Sequence, residues 1–155
     1  MLKKIVLILC LMFLPVTMAE AYPNEPTGYA LLYWGETINQ VQQQYRTSFL
    51  QNTKRGSTYS VYIPNANGEL GMRGSVLLSC HFDNDLGLNS ITIPIPRESN
   101  QIASSFRNIV RNIAAVCGEP SYLNNGRALW RGDSTFLGVM VGPGVIMIDI
   151  NRVKY

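Results

Sequence analysis

The chain has 155 residues, with 13 Lys+Arg against 10 Asp+Glu and a formal net charge of +3. That length suits one domain, and so small a charge specifies neither nucleic acid nor an anionic membrane surface as partner. No low-complexity tract or long linker divides the chain.

Lys3 and Lys4 precede an apolar run from Ile5 to Val16, broken only by Pro15, and Ala19-Glu20-Ala21 follows. This is the pattern of an export signal with small residues at the cleavage site. The expectation is a signal peptide over residues 1–21 and a single domain over 22–155, with a retained N-terminal anchor as the alternative. The run is too short for a comfortable membrane span and no second one follows, so no stable membrane insertion is expected after cleavage. Cys10 sits inside the run behind Leu9, which does not suit lipidation. Cleavage removes Lys3, Lys4 and Glu20, leaving 11 Lys+Arg (13 − 2) and 9 Asp+Glu (10 − 1), a net charge of about +2.

Tyr22 to Gly28, with Pro23 and Pro26, reads as an extended lead-in, and Tyr29 to Trp34 as a short edge strand or apolar arm. Thr37 then caps a first helix, with Gln40 completing a capping box and Ile38, Val41, Tyr45 and Phe49 at helical spacing. Ser57–Ile63, Ser75–Phe82 and Leu88–Ile95 alternate as strands; Asn67-Gly68 signals a hairpin, and Pro94 and Pro96 end the third strand. A second helix, capped by Ser99, carries Ile102, Phe106, Ile109, Val110, Ile113, Val116 and Cys117 on one stripe, and Gly118 with Pro120 stops it. Strands around Ala128–Trp130, Thr135–Val141 and Val145–Asn151 follow, the last two joined by Gly142-Pro143-Gly144. The expected class is α+β: two α-β-β-β units forming an antiparallel sheet with helices packed on one face.

The densest chemistry lies in Leu78-Ser79-Cys80-His81-Phe82-Asp83-Asn84-Asp85. Strand alternation puts Cys80 with Val76, Leu78 and Phe82, and turns His81, the sole histidine, the other way. Adjacent strand residues cannot make the Cys–His contact of an activated nucleophile. Cys117 lies on the apolar stripe of the second helix, so Cys80 and Cys117 are the expected disulfide of an exported chain. That bond would close a loop of about 38 residues and contribute on the order of 3–4 kcal/mol.

No C-x-x-C pair supports zinc, and the "DNDLGLN" segment places its glycine and twelfth residue wrongly for a calcium loop. Neither metal nor cofactor is expected. Arg131-Gly132-Asp133-Ser134 contains an adhesion tripeptide but suits a tight turn between strands. There is no G-x-S-x-G elbow. The acid pairs Asp83 with Asp85 and Glu36 with Glu119 lack the apolar surroundings that raise a pKa, so no catalytic residue is assigned. Arg97, Arg107 and Arg111 form a basic ridge that reads as a solvated face. Tyr62, Trp130 and Arg131 are the candidate contact surface.

Trp34-Gly35-Glu36-Thr37-Ile38-Asn39-Gln40-Val41 resembles the G-x-T-x-x-Q-V opening of small exported α/β modules. These are the outer-membrane-assembly small lipoproteins of the SmpA/OmlA type and the β-lactamase-inhibitor-protein-like fold. Val116-Cys117-Gly118-Glu119-Pro120 resembles their helix-ending Gly-x-Pro, which is also similar to that of secreted bacterial proteins of unknown function. The resemblance implies a helix-plus-antiparallel-sheet module that binds another protein and catalyses nothing, although the lipidation cysteine of the lipoprotein group is missing. The function expected is that of an exported, periplasmic or secreted, non-enzymatic protein-binding module of inhibitor, immunity or envelope-assembly type. Its partner would be another envelope or secreted protein. The alternatives are a small carboxylate-based envelope hydrolase and a small-ligand carrier using a cleft between sheet and helices.

Overall fold

A computed structural model describes residues 21–67 and 69–153 of the chain. The expected signal peptide (apart from Ala21) and the glycine of the Asn67-Gly68 turn lie outside the described residues. The element order is β1 (Gly28–Tyr29), β2 (Leu32–Tyr33), α1 (Ile38–Gln44), β3 (Arg46–Thr53), β4 (Gly56–Asn67) and a 3-10 turn (Glu69–Gly71). Then come β5 (Arg73–Asp83), β6 (Gly87–Pro96), α2 (Ile102–Cys117), β7 (Tyr122–Leu123), β8 (Arg127–Arg131), β9 (Thr135–Gly142) and β10 (Val145–Arg152).

Eight strands form one antiparallel sheet in the order β3-β4-β5-β6-β10-β9-β8-β7, while β1 and β2 pair only with each other. Each half is a four-stranded meander, and the halves join at the centre through β6 and β10. There Ile91, Ile93 and Ile95 lie opposite Ile150, Ile148 and Ile146. These residues share one face and meet Phe106, Val110, Ile113 and Cys117, the buried stripe of α2.

The α+β expectation is overturned. Strands take 52% of the structure and helix 19%, in two α-helices, so the molecule is sheet-dominated and its units have four strands where three are expected. The reason lies at β3. The apolar spacing from Ile38 to Phe49 reads as one helix, but α1 stops at Gln44 with Tyr45 extended as its C-cap. Arg46 to Thr53 then pairs with β4, with Phe49 opposite Tyr59. A seven-residue helix burying only Val41 is marginal by itself, and Thr47, Ser48 and Phe49 gain more from cross-strand pairing.

Thr37 does cap α1, accepting from Gln40 N while the Gln40 side chain accepts from Thr37 N at 2.7 Å. Ser99 does not cap α2: the N-cap is Gln101, which makes no side-chain bond there.

Where α2 does not reach, an aromatic ladder replaces it. Phe49 packs edge-on against Tyr59 at 5.5 Å between ring centroids, and Tyr59 against Phe82 at 5.9 Å. The outer edge strand β3 carries Arg46 and a bulge between Phe49 and Gln51, with Lys54 just beyond; bulges and cations are the usual guards against edge-to-edge aggregation.

Ile148 is fully buried at the joint between the halves, beneath α2. Ile148→Ala should therefore lower unfolding free energy by about 2–5 kcal/mol, read from urea denaturation with an unchanged m-value.

Candidate functional site: the open face of the sheet

The core cluster lies on one side of the sheet, and among the described residues no helix covers the other. Register carries one row across all eight strands of that open face: Ser48, Ser60, Ser79, Thr92, Asp149, Gly138, Leu129 and Tyr122. A neighbouring row runs Thr58, His81, Ser90, Asn151, Phe136 and Arg131. The face spans roughly 33 Å across and 25 Å along its central strands, about 800 Å². That is near the ~800 Å² each partner gives to an ordinary protein interface.

Its centre is polar and internally bonded. Thr92 Oγ1 donates to Asp149 at 2.6 Å, and Ser90 Oγ to Asn151 Oδ1 at 2.7 Å. His81 Nδ1 pairs with Thr58 Oγ1 at 3.2 Å. Toward one end Tyr62 and Leu77 stand 41% and 55% exposed, with the Tyr62 hydroxyl donating to Ser75 Oγ at 3.0 Å. Toward the other end Leu129 packs over Gly138 beside Phe136, flanked by the exposed Arg127 and Arg131.

Of the expected contact residues, Tyr62 and Arg131 do share this face but sit five strands apart. Trp130 does not belong to it. It is fully buried, on the core side with Ala128, and its indole N–H donates to the Gly118 carbonyl at 2.8 Å. A short strand seen only as Ala-Leu-Trp does not reveal which parity faces the core, and its largest residue went inside. Leu77, Ser79, Thr92 and Asp149 carry the face, and alternation against their buried neighbours is the one signal that points to them.

Cys80 and Cys117 are both buried free thiols, so the expected bond is not formed here. Burial alone pushes the Cys80 thiol up to about 12, and Cys117 Sγ is directed at the Asn24 carbonyl at 3.8 Å. Asp83 closes a turn, accepting from the backbone of Asp85 at 3.0 Å and Leu86 at 3.3 Å. No group of three metal-ligating side chains occurs among the described residues. A concavity of about 1060 Å³ runs beside α2, lined by Arg107, Val110, Arg111 and Leu123.

The Arg-Gly-Asp-Ser stretch forms the turn between β8 and β9, and it holds a carboxylate from the same chain. Glu25 accepts from the backbone N–H of Asp133 (2.5 Å), Ser134 (2.8 Å) and Thr135 (2.9 Å). It also accepts from the hydroxyls of Ser134 (2.5 Å) and Thr135 (3.3 Å). Burial would raise its pKa, but the Ser134 hydroxyl and the three backbone donors outweigh that and hold it below the ordinary 4.5. Tyr22 on the same arm, Asp133 on the turn and Cys117 on α2 are titratable groups near it, and Tyr29 and Tyr33 line the same concavity as Glu25.

No family model matches the chain, and neither curated proteins nor solved structures yield a match.

A carboxylate with a lowered folded pKa contributes stability that is complete above its unfolded pKa and is lost as pH falls through the folded value. The stability advantage of the wild type over Glu25→Gln should therefore be constant from pH 7 down to about 4.5 and shrink below it. Urea midpoints of both proteins at pH 7, 5 and 3 measure this.

Proposed function

We propose that the protein is an exported, non-catalytic protein-binding module, periplasmic or secreted, which docks another envelope or secreted protein on the open face of its sheet. The observation that carries this reading is a continuous eight-stranded face with a polar, hydrogen-bonded centre and exposed Tyr62 and Leu77 toward one end. Apolar anchors around groups whose hydrogen bonds are already made lower the cost of desolvation on docking.

The chemistry present points the same way. His81 is bonded to Thr58, the Cys80 thiol is held protonated by burial, and Asp83 is spent on a turn. The resemblance of the Gly35–Val41 and Gly118–Pro120 segments to small exported protein-binding modules supports the same reading. The concavity beside α2 favours the second reading, a small-ligand carrier, because Val110 and Leu123 give it an apolar lining and Arg107 and Arg111 a charged rim.

The test is affinity capture by the tagged chain from the cell that produces it, after brief crosslinking at physiological salt. The wild type should retain one stoichiometric protein. Leu77→Asp, which places a charge among the apolar contacts of the open face, should weaken its binding by about 2 kcal/mol or more, roughly 30-fold. Arg111→Ala, on the opposite side, should leave it unchanged. Capture indifferent to Leu77→Asp would overturn the docking face. Substrate turnover by the purified protein, abolished by a single substitution, would overturn the non-catalytic reading.

A further inference from the structure

The turn between β8 and β9 does more than connect strands. Three successive backbone N–H groups, Asp133 to Thr135, and two hydroxyls converge on the Glu25 carboxylate. Such a concavity of backbone donors is an anion-binding nest. Gly132 completes it, because a Cβ there would overlap the Cδ and Oε1 of the Glu25 carboxyl group. Five donors around one carboxylate, 108 to 110 residues away in sequence, exceed what a hairpin turn needs for its own closure.

The segment that brings Glu25 there lies across the end of α2. Asn24 Nδ2 donates to the Val116 carbonyl at 2.8 Å, serving the carbonyls a helix leaves unpaired at its C-terminus. The Asn24 carbonyl faces Cys117 Sγ, and Pro23 packs against Gly118. Cys117 is fully shielded although its neighbour Val116 is 45% exposed; the sheet side of the core covers it from one direction and this segment from the other.

Two bonds from Trp34 hold the far end of that cover, its indole N–H donating to the Pro26 carbonyl and its backbone N–H to the Thr27 carbonyl, both at 3.1 Å; little else fastens it. From Tyr22 to Thr27 only Tyr22 is buried, with its hydroxyl 2.6 Å from Thr135 Oγ1. Asn24 holds a left-handed backbone (φ 53°) that Asn tolerates better than most residues. The next residues, β1 and β2, pair with each other and not with the main sheet.

We propose that the Gly132–Thr135 turn is a carboxylate-binding site, filled by the chain's own Glu25, and that it makes residues 22–27 a detachable cover over Cys117 and the C-terminal end of α2. Its ligand class is a side-chain carboxylate, the group that Glu25 presents to it. The site is distinct from the open sheet face, and the inference stands whether or not that face binds a partner.

The experiment is alkylation of the native protein by iodoacetamide, followed residue by residue by mass spectrometry. Wild type, Glu25→Gln and Gly132→Ala are compared after gentle reduction. Gln removes the charge, and the alanine methyl occupies the carboxylate's place, so the two variants perturb the site independently. Cys80, deep in the sheet, reports global unfolding. In both variants Cys117 should react at least about tenfold faster than in the wild type, with Cys80 unchanged; local opening exposes one thiol and not the other. An unchanged Cys117 rate in both variants, or Cys80 and Cys117 rising together, would overturn the proposal.

Discussion

The structure depends on the pairing of β6 with β10. Seven residue pairs, from Ser90 with Asn151 to Pro96 with Val145, join segments 49 to 61 residues apart. Without it the chain would be two short meanders, each with one face unburied. Closing so long a loop costs entropy before any contact offsets it, and the isoleucines of both strands supply the compensation by meeting under α2. The joint is satisfied on both sides of the sheet. Its core face is aliphatic, and its open face carries the Thr92–Asp149 and Ser90–Asn151 hydrogen bonds.

From that joint follows the asymmetry of the two faces. A crossover through α2 brings the chain back so that β10 lands beside β6, and the helix packs on one side with its stripe turned inward. The opposite side is left to side chains that tolerate water. Its hydroxyls, amides and the Asp149 carboxylate keep a broad surface from stacking on itself, as a wholly apolar sheet face would. Leu77 and Tyr62 toward one end, with the half-buried Phe136 toward the other, keep apolar area within reach of a partner. This division is why the open face, and not a cleft lined with titratable groups, supports the functional reading.

The N-terminal segment is a third structural constraint. Tyr29 and Leu32 enter the core, Gly35 N donates to the Leu88 carbonyl at 3.0 Å, and Glu25 is seated in the β8–β9 turn. The segment thereby connects β6, the end of α2 and the second meander without joining the sheet. The Arg-Gly-Asp-Ser sequence is engaged in this internal contact through its backbone and Ser134, while Arg131 points to the open face.

Local chemistry was legible from the sequence: the Thr37–Gln40 capping box, the amphipathic stripe of α2 ended by Gly118, and the opposed directions of Cys80 and His81. Each rests on spacing between near neighbours, which the helix and strand periods fix without tertiary help. The class, the edge strands β3 and β7, and the burial of Trp130 were decided only by the tertiary structure. A segment such as Arg46–Thr53 becomes a strand because β4 is beside it, and the face a tryptophan takes depends on where α2 lies. Glu25 shows the same limit most plainly. Nothing in its neighbourhood along the chain marks it, and it matters because folding brings to it a turn more than a hundred residues away.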